Sequence, residues 1–205
     1  MTWQVALQKT YQVAQHLLDH EEHRWAIAGS VASVLNGCQF EPGDLDILAC
    51  RPEGVYQFAE AMMIFAPEDC PHPEQDEAWF SSKDLPVSVY EEYGFQWYFC
   101  RWVVADFEVE VAHIIPPVGT PISKDGAGIW EGGAEVWPHI RTVPFQGNQV
   151  PVVPLEIQLE SNMNRGLKDR IAEIVHIFRT QRYNRPLLEQ SLSRDHLQEF
   201  DQEMV

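Results

Sequence analysis

Basic residues are scarce in this chain: 14 Lys and Arg stand against 31 Asp and Glu, a formal net charge of −17 over 205 residues. A surface that follows a nucleic-acid backbone needs a basic face, because phosphate neutralisation supplies most of that affinity. The balance argues against DNA or RNA as the main partner. It suits a small substrate, a cationic acceptor or a basic protein. Cysteine is sparse as well. Cys38, Cys50, Cys70 and Cys100 form no CxxC pair, which predicts free thiols rather than a disulfide framework. Cys70-Pro71-His72 has no second cluster at zinc-finger spacing to answer it, so a zinc site is not expected. No stretch is long and apolar enough to span a bilayer, and the N-terminus lacks an apolar leader core. The expectation is a cytoplasmic protein with no membrane partner. Internal repeats and low-complexity tracts are absent too.

What remains is an ordinary globular composition, 45% hydrophobic and 22% charged, with seven Trp and ten Phe to make the core aromatic. That is enough for one domain with a modest helical appendage. Apolar residues at helical spacing over 3–19 predict a first amphipathic helix. The short run Trp25 to Ala28 predicts a buried strand closed by Gly29-Ser30, and 31–37 a short helix stopped by Gly37. Asp44 to Leu48 alternates like a strand with one polar face, and Pro52 opens a helix to about Phe65. The segment 66–77, rich in proline and acid, predicts a surface loop. Strands follow at Val87–Tyr90, Phe95–Val104 and Phe107–Ile115, the last two joined by a tight hairpin at Ala105-Asp106. Five glycines and three prolines make 116–133 a long loop. Trp137–Phe145 predicts another strand, turned back at Gln146-Gly147-Asn148. Pro154 starts a helix at its first turn, Asn164-Arg165-Gly166 interrupts it, and 168–182 forms the next; the polar tail from Asn184 forms a last helix or frays. The order of elements is α/β-like in its first half and α+β overall, a mixed β-sheet flanked by helices with further helices at the C-terminus.

Chemistry concentrates in three places. A strand ending in Gly29-Ser30 and leading into a helix presents backbone N–H groups to an anion, and glycine lets a phosphate approach closely. Ser30 is placed to be the helix N-cap as well as a phosphate contact. Asp44 and Asp46, two apart on a strand, point from one face, and carboxylates held that close call for a divalent cation. The strand Phe107–Val111 repeats the arrangement, with Glu108 and Glu110 on one face and Phe107, Val109 and Val111 on the other. His113 alternates with the glutamates and serves as a base only if it reaches the acceptor. Alone, Gly-Ser is a strand-to-helix turn and Asp-x-Asp a solvated strand edge. Together they suit two-metal phosphoryl transfer, with one Mg²⁺ on a triphosphate and a second lowering the pKa of an acceptor hydroxyl.

Ala28-Gly29-Ser30, a spacer of thirteen residues, and Asp44-Leu45-Asp46-Ile47 resemble the signature of the nucleotidyltransferase superfamily. Val109-Glu110-Val111 is similar to the context of that family's third carboxylate; Glu108 also satisfies that pattern, and Glu110 is preferred on its position in the strand alone. Val153-Pro154-Leu155-Glu156, Asn164-Arg165-Gly166 and Lys168-Asp169-Arg170 resemble the closing helices of its small members, which include antibiotic-modifying enzymes and minimal transferases paired with toxins. The resemblance implies Mg²⁺ on Asp44, Asp46 and Glu110, a nucleoside triphosphate on Gly29 and Ser30, and Glu108 as a base. Small members often carry a lysine where this chain has Asn162, which passes triphosphate neutralisation to Arg165, Lys168 or Arg51. The expected domain covers 1–150, with 151–205 a helical segment packed on it. The acceptor would be a small molecule or a protein. The alternative is a binding module of the same fold, an antitoxin-like partner of another protein with little or no catalysis.

Overall fold

A computed structural model describes residues 2–67 and 79–204. Cys70, Pro71 and His72 and most of the 66–77 segment lie outside the described residues. The chain divides into two compact units, 1–31 with 42–117, and 32–41 with 118–205.

The first unit opens with α1 (Thr2–Ala14), extended by a 3₁₀ turn over Gln15–Asp19. Then come β1 (Trp25–Ile27), the start of α2 (Gly29–Leu35), β2 (Leu45–Ala49) and α3 (Pro52–Met62). Three strands complete it: β3 (Ser88–Glu92), β4 (Phe95–Val104) and β5 (Phe107–Ile115). Their order in the sheet is β3-β4-β5-β2-β1. The β2–β5 pair is parallel and the other three pairs are antiparallel, so the sheet is mixed. Residues 104 and 107 pair around Ala105 and Asp106, whose φ values of 53° and 60° are the left-handed pair that a two-residue hairpin turn demands.

The two faces of this sheet differ in kind. One carries Ile47, Val109, Val111, Cys100 and Trp102, all at most 1% exposed, and receives α1 and α3. Trp25 ties that layer together. Its indole N–H donates to the Ala14 carbonyl at 3.0 Å, and its ring meets Phe58 edge-on at 5.6 Å. The other face carries the carboxylates. Alternation along each strand makes the separation automatic: every second residue is apolar and buried, so the residues between must point away.

The second unit pairs β6 (Arg141–Phe145) with β7 (Asn148–Val152) as a hairpin and adds α4 (Leu155–Asn164), α5 (Lys168–Thr180), α6 (Arg185–Ser191) and α7 (Arg194–Glu203). The polar tail from Asn184 is thus two helices, the first capped by the Asn184 side chain accepting from the Leu187 N–H at 3.2 Å. Trp137 and His139, expected in a strand, belong instead to a 3₁₀ turn over Ala134–His139. The strand starts at Arg141, beyond that turn. Leu155, Leu159, Ile174, Phe178, Leu188 and Phe200 form the core among these helices.

The unusual element is α4. Glu156, Gln158, Glu160 and Asn162 are all buried on it, at 7% exposure or less. Each has partners from the protein. Glu156 accepts from Arg141 Nη2 at 2.9 Å and from the Asn184 N–H at 2.8 Å. Glu160 accepts from Asn164 Nδ2 at 3.0 Å and the Ser193 N–H at 2.9 Å, and faces His196 Nδ1 at 2.9 Å. Gln158 accepts from the Ser33 hydroxyl and donates to the Val153 carbonyl at 2.7 Å. Among the described residues the exceptions on α4 include Glu156 Oε2 and Asn162 Oδ1, buried oxygens with no hydrogen-bond partner.

Candidate active site

The carboxylate face is assembled by one register. In the parallel β2–β5 pair Asp46 stands opposite Glu110, with Leu45 opposite Val109 and Ile47 opposite Val111. Asp44 precedes β2 by one residue and shares the face of Asp46. One carboxylate oxygen from each of Asp44, Asp46 and Glu110 lies within 4.8 Å of the others, and all three side chains are half-buried. An all-oxygen set of that size and charge suits a hard divalent cation.

Gly29 and Ser30 sit beside this cluster. The Ala28 N–H donates to the Asp46 carbonyl at 2.9 Å, fixing the end of β1 against β2. Gly29 has φ +57°, and a Cβ built there would lie 2.0 Å from Asp46 Oδ2. The group that requires glycine is therefore the protein's own carboxylate, which leans over the backbone where a side chain would stand. Ser30 corrects the N-cap expectation. It lies inside the first turn of α2, and its hydroxyl donates to the Asp44 carbonyl at 3.3 Å and to Asp44 Oδ1 at 3.4 Å. Its role in this structure is to orient Asp44.

Sequence reasoning missed Arg101. Paired with Glu110 across β4–β5, it donates to Glu110 Oε1 from Nε at 2.8 Å and from Nη2 at 2.6 Å, and its Nε lies 3.5 Å from Glu108 Oε1. Burial pushes the Glu110 carboxyl above its ordinary range, the guanidinium pulls it back, and Glu108 pushes it up again. Glu108 thus faces the same cation as Glu110. The signal was in the sequence: a two-residue turn at 105–106 pairs residues counted outward from it in equal steps, and four steps from that turn stand Arg101 and Glu110.

His113 is directed elsewhere. It is three residues from Glu110 and therefore on the opposite face, with Nδ1 3.0 Å from the Ala49 carbonyl. Burial lowers its pKa, which keeps the ring neutral. Arg51 precedes α3 and lies 3.6 Å from Glu22 on the exposed surface. In the second unit, Arg165 is the exposed C-cap of α4. Lys168, at the start of α5, helps line an open depression of about 810 Å³ with Phe40 and Arg170.

Strand order and the parallel β2–β5 register define a mixed α+β fold, consistent with a nucleotidyltransferase-like one. A candidate nucleotidyltransferase from Thermotoga maritima, TM1012, has a similar solved structure, with a TM-score of 0.53 at 18% identity over 85% of this chain and 93% of its own. At that identity the likeness is one of fold. No protein-family model matches the chain, and no curated protein does. Among the described residues, no helix is long and apolar enough to cross a membrane.

Proposed function

We propose that the protein is a Mg²⁺-dependent nucleotidyltransferase that moves a nucleoside monophosphate from a nucleoside triphosphate to a hydroxyl of a small molecule or protein. The observation that carries this reading is the convergence of Asp44, Asp46 and Glu110 within one ligand shell. Those three would hold one or two Mg²⁺, and the bound metal neutralises triphosphate charge and acidifies the attacking hydroxyl. Gly29 and Ser30 would take the β- and γ-phosphates at the start of α2. Arg165 and Lys168 are proposed as further triphosphate contacts. The acceptor oxygen bonds to the α-phosphorus, the bond from that phosphorus to the pyrophosphate oxygen breaks, and the hydroxyl proton passes to Glu108. Arg101 holds Glu108 and Glu110 on their strand and offsets part of their mutual repulsion.

Thermal unfolding with each triphosphate, in Mg²⁺ and in EDTA, tests the donor site. Binding to the native state alone stabilises by about 2.7 kcal/mol at a hundredfold excess over Kd. A Mg²⁺-dependent rise with at least one triphosphate is expected, and Asp46→Asn should abolish it with little loss of fold. If Asp46→Asn responds like the parent, the carboxylate assignment is wrong.

One observation favours a second reading, a binding module with little catalysis. Arg101 already satisfies Glu110, so the fold can keep that carboxylate without metal. No rise with any triphosphate would support this reading, with the acidic surface facing another protein.

A further inference from the structure

The carboxylate face continues past Glu110 onto β4 and β3. Register sets Arg101 opposite Glu110, Phe99 opposite Ala112 and Trp97 opposite Ile114, then Tyr90 opposite Trp97. By alternation Tyr90, Trp97, Phe99 and Arg101 all project from the face that holds the triad. They are in contact. Tyr90 and Trp97 are parallel to within 4° at 6.0 Å, Tyr90 meets Phe99 edge-on at 6.4 Å, and the Arg101 guanidinium lies 5.2 Å from the Phe99 ring centre. Trp79 tilts against Phe99 at 6.1 Å. The same guanidinium that covers Phe99 bonds Glu110, so the rings and the acids are one continuous surface. Tyr90 at the edge of this tier is 38% exposed and Trp97 and Phe99 are half-buried, while Trp102 on the opposite face of β4 is 0% exposed. The Tyr90 hydroxyl also feels the site, its pKa raised by burial, by Glu92 and by Glu110.

Position decides what the rings would face. In the order β1-β2-β5-β4-β3, Gly29 and Ser30 follow β1, the triad spans β2 and β5, and the rings occupy β4 and β3. On the functional reading proposed above, pyrophosphate leaves toward Gly29-Ser30. In-line displacement then brings the attacking hydroxyl from the opposite side, the side of β4. Residues on one face of a strand are about 7 Å apart, so Phe99 lies one such step from Arg101 and Trp97 two. A hydroxyl at Glu110 carried by a ring one step away would lie over Phe99.

We infer that Phe99, Trp97 and Tyr90 seat the planar ring of the acceptor, and that the acceptor is a phenol or aromatic alcohol rather than a polyhydroxylated sugar. This rests on the functional reading for its direction, and on the ring tier for its chemistry. Rings that stack gain from offset or edge-on contact beyond area burial, whereas a sugar gains none of that and would draw only on the few polar groups of the strip, such as the Tyr90 hydroxyl and the Arg101 guanidinium.

Tyramine and glucosamine separate the two classes at matched charge, since each is a monocation bearing hydroxyls. Saturation-transfer NMR on the full chain, with and without Mg·ATP, should show signal from the tyramine ring protons and little from glucosamine. Trp97→Leu and Phe99→Leu should weaken tyramine about tenfold, the size of one good ring contact, and Trp97→Phe should retain most of it. If either leucine variant loses the parent's circular dichroism, Tyr90→Leu on the exposed edge strand carries the test. Equal or greater signal from glucosamine overturns the inference, as does tyramine binding that folded leucine variants leave unchanged. The Mg²⁺-dependent thermal shift is the separate readout for the transferase reading. Ring binding without that shift removes the reading and keeps the ring site; the shift without ring preference does the reverse.

Discussion

Glu156 and Glu160 on α4 and the triad Asp44, Asp46 and Glu110 are both clusters of acid withdrawn from water, and the protein treats them in opposite ways. The α4 pair is closed, apart from Glu156 Oε2, which is buried without a hydrogen-bond partner. Backbone N–H groups of Asn184 and Ser193, with Arg141, Asn164 and His196, converge on two carboxylates at most 2% exposed. The triad is open: its members are half-buried and within 4.8 Å of each other, and their contacts include the Ser30 hydroxyl and Arg101. Closed acids act as struts between helices, because each fixes the start of another element. Open acids are strained by their own repulsion, and a cation relieves them. The difference teaches that burial alone does not mark a functional carboxylate; the crowding of several within one ligand shell does.

Substitution can break this contrast most sharply at Glu160. Glu160→Ala leaves the Ser193 N–H, Asn164 and His196 without their acceptor and should cost about 2–4 kcal/mol, read from the denaturant midpoint. Asp44→Asn, made in the open set, should leave that midpoint unchanged or raise it. A larger loss at Asp44 than at Glu160 would invert the assignment. Next in size is Gly29→Ala. A left-handed backbone costs an alanine about 1–2 kcal/mol, and the added methyl drives Asp46 from its place, so Mg²⁺-dependent stabilisation by triphosphate should vanish together with part of the fold's stability.

Two smaller effects depend on pH. Burial raises the Glu110 carboxyl, so its contribution is fully present below the unfolded value of about 4.3 and is lost as pH rises through the folded one. Glu110→Gln should therefore gain in melting temperature relative to the parent between pH 4 and pH 8; a difference that does not change with pH would refute the shift. His113 has the opposite sign. Its pKa is lowered by burial, so its stabilisation holds above about pH 6.5 and fades as acid charges the ring. His113→Gln should flatten the parent's loss of stability between pH 6.5 and 5, by a margin smaller than the Glu110 effect.

How much of this was legible depended on the reach of each interaction. Phe95–Val104 and Phe107–Ile115 were bounded correctly because an apolar or alternating run and a two-residue turn are local signals. The triad was legible for the same reason: Asp44 and Asp46 announce their face by spacing, and Glu110 does so by its apolar neighbours. The partners were less so. Arg101 acts through cross-strand register, and the link from Ser30 to Asp44 spans a loop. Both need pairing partners that no single window contains. Gly29 was read as room for a phosphate, but the atom nearest its missing Cβ belongs to Asp46. The acids of α4 were unreadable as struts, since Ser193 and His196 lie more than thirty residues away.

The parallel pairing of Asp46 with Glu110 also fixes when the site can come into being. Sixty-four positions separate the two residues, and a parallel pair cannot be closed by a turn, so its loop entropy is paid before the contact returns anything. The β4–β5 hairpin, closed by two residues, can form first and deliver Glu110 already held by Arg101. Assembly of the triad is then a late docking of that hairpin onto β2.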